Sequence, residues 1–181
     1  MVYIFLATGF EEIEALCPYD ILMRAGVDVC TVGIGGRQVL GAHELLVTAD
    51  ITDEQFLALE DPCIEMVILP GGMPGALNLD ASPAVDAAIK AAVKGDALLA
   101  AICAAPLVLG RRGLLKGMRA TCYPGFEKEL TGALEIGGKV IRDGNIITAE
   151  GMGVALEFSL ELVSALLSPE TAGEIRTAIR A

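Results

Sequence analysis

Apolar positions fall in two patterns along this chain. Short, mostly apolar runs occur at residues 2–6, 27–34, 65–69 and 97–102, separated by longer stretches with helical spacing. Unbroken apolar runs of roughly four to eight residues suit strands buried on both faces. Strands alternating with helices predict an α/β fold, with a mostly parallel central sheet and helices on both faces. Helices are predicted over residues 10–25, 53–60, 83–94, 106–112, 154–167 and 169–179. Hairpins are predicted through His43 (39–40 with 45–47) and through Asp143-Gly144 (136–142 with 145–148). No repeat or linker interrupts the pattern, so residues 1–181 read as one domain.

In the first helix, Phe10, Ile13, Cys17 and Ile21 form the apolar stripe at ~100° per residue. Glu14 falls within that stripe. A buried carboxyl needs a partner or a proton; the other reading is a partly exposed flank residue. Glu11 and Glu12 complement the helix dipole. Pro18 predicts a kink, and Asp20 with Arg24 have the spacing of an i,i+4 pair. In the third helical stretch, Ser82-Pro83 starts the helix, Gly95 ends it, and Ala84, Val85, Ala88, Ile89 and Val93 face inward.

Composition narrows the function. Hydrophobic residues make up 54% of the chain, but no apolar run reaches the ~18 residues of a membrane helix. The first apolar run lacks a basic flank and meets Glu11-Glu12 at once, so it reads as a strand rather than a signal peptide, and the protein is expected to be cytoplasmic. A net charge of −11 with only 13 Lys and Arg argues against nucleic acid as a partner. The five cysteines form no C-x-x-C, and His43 is the only histidine. No disulfide scaffold and no metal centre is expected.

Three places carry candidate chemistry. The run 97–102 leads into Cys103-Ala104-Ala105-Pro106, which reads as strand, sharp turn and helix, with Pro106 in the first turn. Such an elbow aims backbone amides at one spot and acidifies a thiol toward thiolate; a small buried hydrophobe is the alternative. Pro70-Gly71-Gly72-Met73-Pro74-Gly75 follows a strand at the end of the sheet where ligands bind. It lacks both the dinucleotide and the phosphate-loop spacing, and reads as a ligand-approaching loop or a plain turn. Glu150-Gly151-Met152-Gly153 follows a strand in the same way. His43 reads first as an exposed loop residue.

Together these motifs resemble the ThiJ/PfpI superfamily, in the branch of the parkinsonism-associated protein DJ-one. The residues that carry the resemblance are Glu11-Glu12-Ile13-Glu14, Leu69-Pro70-Gly71-Gly72, Ala100 to Pro106, and Glu150-Gly151-Met152-Gly153, in that order. The resemblance implies a flavodoxin-like three-layer sandwich, a homodimer, and no cofactor. It implies that Cys103 is the reactive thiol, Glu14 its protonated partner, and Gly71, Gly72 and Ala104 backbone donors near the sulfur. Tyr123, Gly153, His43 and Arg24 are candidates for the pocket. Where many relatives have a histidine in a T-x-H-P segment, this chain has Thr121-Cys122-Tyr123-Pro124, and Ala104 follows the nucleophile where hydrolase-like members carry His.

The expected function is a cofactor-free, cysteine-dependent glyoxalase or deglycase on methylglyoxal-type α-oxoaldehydes or their early protein adducts. The alternative is a redox-sensing stress-protection protein or chaperone switched by oxidation of Cys103. A cysteine hydrolase or protease is a third reading, which requires His43 to reach the sulfur.

Overall fold

β1 (Val2–Leu6) is an interior strand of the sheet, and all five of its residues are buried. A computed structural model describes residues 1–181. After β1 come α1 (Glu12–Arg24), β2 (Val29–Gly33), the hairpin β3 (Gln38–Leu40) and β4 (Leu46–Thr48), then β5 (Ile51–Thr52) and α2 (Asp53–Leu57). β6 (Met66–Leu69), α3 (Gly75–Asp80), α4 (Pro83–Lys94), β7 (Leu98–Ile102) and α5 (Pro106–Arg111) build the centre. β8 (Arg119–Ala120), β9 (Glu135–Ile136), β10 (Val140–Asp143), β11 (Ile146–Ala149), α6 (Ala155–Leu166) and α7 (Pro169–Ala178) complete the chain.

The main sheet has seven strands in the order β10-β11-β7-β6-β1-β2-β5. All pairs are parallel except β10 with β11. Alternation along β1 divides the core in two. Tyr3 and Phe5 join Val85, Ile89 and Leu107 on one face; Val2, Ile4 and Leu6 join Ile21, Leu22, Phe158 and Leu162 on the other. This is the three-layer, flavodoxin-like sandwich that the alternating pattern and the resemblance imply. No helix is long and apolar enough to cross a membrane.

The chain leaves β1 toward β2 on one side, and β6 returns on the other. Loops at that reversal splay apart and open a crevice at the carboxyl ends of the strands. The glycine pair follows β6, Cys103 follows β7, and Glu14 lies in the first turn of α1, just after the loop that follows β1.

Several details differ from the sequence pattern. The buried stripe of α1 is Glu14, Ala15, Pro18, Ile21 and Leu22, whereas Ile13 is 43% exposed and Cys17 only half-buried. Phe10 is buried but precedes the helix and bridges to Gly41, so it does not set the helical phase. α1 runs unbroken across Pro18. In α4 the buried face includes Ala92 rather than Val93. The short elements β5, α3 and β9 give almost no periodic signal, since each is six residues or fewer.

Candidate active site

The elbow after β7 holds Cys103 in a left-handed conformation, φ 64°. A non-glycine residue there stores strain of about 1–3 kcal/mol and persists only when its surroundings fix it. Two neighbours do so. The Cys103 N–H donates to the Ala149 carbonyl at 2.9 Å, and the Cys103 carbonyl accepts from the Tyr123 N–H at 2.8 Å. Pro106 opens α5 at its first position, where no N–H is needed. The amides of Gly72 and Ala104 point at the sulfur.

Glu14 sits in the first turn of α1 and is fully buried. Its Oε2 accepts the Gly71 N–H at 2.9 Å. Oε1 is buried and has no regular hydrogen-bond partner. The Cys103 sulfur lies close enough to the carboxyl that each group shifts the other's titration. Burial pushes the Glu14 carboxyl up to about 7, opposed by the Gly71 amide and the thiol.

The Cys103 thiol is pushed up to about 12, first by burial and then by the charge on Glu14, while the two amides pull it back. The elbow alone predicts the opposite direction. The reason for the correction is burial, which penalises the charged sulfur, with the charge on Glu14 adding to it. The pair therefore gives up one proton readily and the other with great difficulty.

Gly71 has a different task from the one implied by the resemblance. Its amide is spent on Glu14, not on the sulfur, and its carbonyl accepts the Glu11 N–H at 3.0 Å. A Cβ at Gly71 would lie 2.6 Å from Cys103 Cβ and 2.7 Å from Glu14 Oε2. Gly72 has φ 84°, and a Cβ there would collide with the backbone of residues 9–11.

Tyr123 and Gly153 line a cavity of about 330 Å³ together with Lys139 and Met152. The Tyr123 ring packs over Gly151, where a Cβ would come within 3.2 Å of it. Cys103 does not line this cavity; its link to the elbow is the Tyr123 N–H on the Cys103 carbonyl.

His43 and Arg24 are not brought to the sulfur. His43 lies in the β3–β4 turn with its side chain 73% exposed. Its N–H donates to Glu12 Oε1 at 2.7 Å and its Nδ1 lies 2.8 Å from Glu12 Oε2; Glu11 is 3.8 Å away. These carboxylates raise the His43 pKa above the ordinary histidine value. Ligand atoms of Glu11, Glu12 and His43 all lie within 4.8 Å of one another, the one grouping that could face a cation; here they satisfy each other. Arg24 Nε donates to Asp20 at 2.7 Å. It lies ten residues along α1 from Glu14, about 15 Å at the helical rise.

Sequence reasoning missed Ala149 and named Tyr123 only as a pocket side chain, whereas both act through their backbones. Ala149 and Tyr123 hold the elbow by a carbonyl and an amide, and neither role depends on side-chain type. Only the glycines betray such contacts, because a close approach excludes a Cβ.

Comparisons with known proteins bear on the family and the fold. The DJ-1/PfpI family profile matches residues 1–165. The Parkinson disease protein 7 homolog of Danio rerio is 34% identical over 177 residues, covering 96% of this chain and 93% of that protein. The glutathione-independent glyoxalase DJR-1.2 of Caenorhabditis elegans is 32% identical over 162 residues, 88% of this chain and 84% of that one. Among solved structures, Toxoplasma gondii DJ-1 in its oxidized form has a TM-score of 0.92 at 34% identity, covering 98% of this chain and 96% of that one. A DJ-1 superfamily protein of Salmonella typhimurium has a TM-score of 0.89 at 37% identity, covering 99% and 97%. With the family profile matched over residues 1–165 and a relative 34% identical over 96% of the chain, the chain belongs to the DJ-1/PfpI family.

Proposed function

We propose that this protein is a cofactor-free glyoxalase or deglycase in which Cys103 is the nucleophile and Glu14 its proton partner. One observation carries the reading. Glu14 Oε1 is buried without a hydrogen-bond donor, beside a sulfur that has two amides directed at it. An undonated carboxylate oxygen in a dry site is costly, and a protonated one needs an acceptor. A neutral carboxyl donating to a thiolate satisfies both groups and also gives the Gly72 and Ala104 amides an anion to face.

The thiolate adds to the aldehyde carbon of an α-oxoaldehyde, and the new alkoxide takes the carboxyl proton. The resulting carboxylate removes the proton from that carbon and returns it to the neighbouring one. The former aldehyde carbon is thereby oxidised and the ketone carbon reduced, which leaves a thioester. Water cleaves it to a 2-hydroxy acid, lactate from methylglyoxal, and regenerates the thiol. Tyr123 and Gly153 flank the substrate. The glyoxalase name of the nematode relative supports this substrate class.

The same site supports redox sensing as a second reading, because a sulfur oxidised by peroxide would find the Glu14 carboxyl beside it. Hydrolysis by a Cys-His pair is disfavoured, since His43 makes its contacts with Glu11 and Glu12. We read the protein as a cytoplasmic homodimer, a state supported by exposed Ile13, Leu16 and Met23 on the outer face of α1.

The test is lactate formation from methylglyoxal by wild type, Cys103→Ser and Glu14→Gln. Wild-type turnover with loss of about 100-fold or more in both variants is expected. Undiminished activity in either variant overturns the assignment. Absence of turnover in the wild type, with stepwise oxidation confined to Cys103, favours the redox reading.

A further inference from the structure

The left-handed elbow at Cys103 is held on both sides, its N–H on the Ala149 carbonyl at 2.9 Å and its carbonyl on the Tyr123 N–H at 2.8 Å. These supports come from separate parts of the chain, β11 and the segment that follows β8. One side chain joins them. Thr148, next to Ala149, accepts the Thr121 N–H on its Oγ1 at 2.9 Å, and Thr121 stands two residues before Tyr123. The bonds thus close a ring through Cys103, Ala149, Thr148, Thr121 and Tyr123. The Thr121 hydroxyl donates to the Gly138 carbonyl at 2.7 Å, which ties the same segment to the chain entering β10.

Both threonines are buried. Thr148 pairs with Ala101 of β7, and the pleat turns it to the sheet face where Ile146 and Ala101 join the apolar core. Valine would fill that position with the same shape and no hydroxyl to desolvate. Threonine supplies what valine lacks, an acceptor for an N–H that burial would otherwise leave unpaired.

We propose that Thr148 is a positioning residue for Cys103: its hydroxyl holds the two clasping segments at the spacing that keeps the elbow left-handed. This rests on the reading of Cys103 as the nucleophile. Without the bond, the stretch from Thr121 to Tyr123 is free to draw away from β11, and the elbow loses one side of its support. The sulfur then leaves the Gly72 and Ala104 amides, which favour its charged form.

Alkylation of Cys103 by iodoacetamide across pH, located by peptide mass, tests this without any aldehyde. Its failure is therefore distinct from failure of the glyoxalase reading, which lactate formation tests. Thr148→Val should move the onset of Cys103 alkylation upward by about half a pH unit or more, roughly threefold slower at neutral pH. Thr148→Ala should move it in the same direction, so the outcome does not hang on the folding of one variant. Thr148→Ser, which keeps the hydroxyl, should restore the wild-type onset. Thr52→Ala removes the cap of α2 at the far edge of the sheet; it should lower the thermal midpoint by a few degrees and leave the onset unchanged. A wild-type onset in Thr148→Val and Thr148→Ala, no rescue by serine, or an equal shift in Thr52→Ala overturns the proposal.

Discussion

Gly71 sits between Glu14 and Cys103, giving its amide to the carboxyl at 2.9 Å while its missing side chain lets the two reactive groups meet. The sequence motif around this glycine thus encodes a close approach rather than a flexible turn. A methyl group there has nowhere to go, because its neighbours are a Cβ, a buried carboxylate oxygen and the Ile102 carbonyl.

Gly71→Ala should therefore separate the pair. Overpacking of a tight site costs about 1–3 kcal/mol, read as a lower thermal midpoint. Aldehyde turnover should drop further than stability does, by about 100-fold or more. An alanine variant with wild-type turnover would mean that the contact with Glu14 is dispensable.

Stability should fall with pH because of Glu14. Its folded pKa of about 7 lies above the ordinary glutamate value of 4.5, so the native state holds a proton that the unfolded chain has already released. The advantage is complete below pH 4.5 and is lost as pH rises through about 7. The total is about 3 kcal/mol at 1.36 kcal/mol per pKa unit. Glu14→Gln removes this dependence, so the variant should gain on wild type in denaturant melts between pH 5 and 8. Parallel pH profiles for the two proteins would contradict the buried, proton-holding role.

His43 should titrate above the ordinary histidine value, because Glu12 and Glu11 favour its charged form. Proton NMR of this sole histidine reads the midpoint directly, and Glu12→Gln should lower it. His43→Ala should keep aldehyde turnover within about twofold. A large loss of activity would revive a catalytic role for His43.

Much of this was legible before any coordinates. The unbroken apolar run into Cys103 gave both the buried strand and the elbow, since period and flanking proline agree there. Glu14 stood out as a carboxyl on an apolar stripe, although the stripe itself is rotated and Ile13 faces outward. Phe10 misled the phase because it is buried without being helical. Tertiary geometry decided the rest. No pattern of side chains records that Ala149 and Tyr123 clasp the elbow through their backbones, or that Arg24 ends a full helix away from the carboxyl. The direction of the thiol's titration was also hidden, since it depends on burial and on a neighbour 89 positions earlier in the chain.

The pH at which Cys103 becomes a thiolate, followed by its alkylation rate in wild type and Glu14→Gln, tests the shared proton most directly. If Glu14 keeps the proton and donates it to the sulfur, wild-type Cys103 is alkylated at neutral pH and Glu14→Gln moves the onset of reactivity upward by about one pH unit or more. If instead the carboxyl ionises first and repels the sulfur, wild-type Cys103 stays unreactive at pH 7 and Glu14→Gln makes it more acidic. That downward shift would contradict the account.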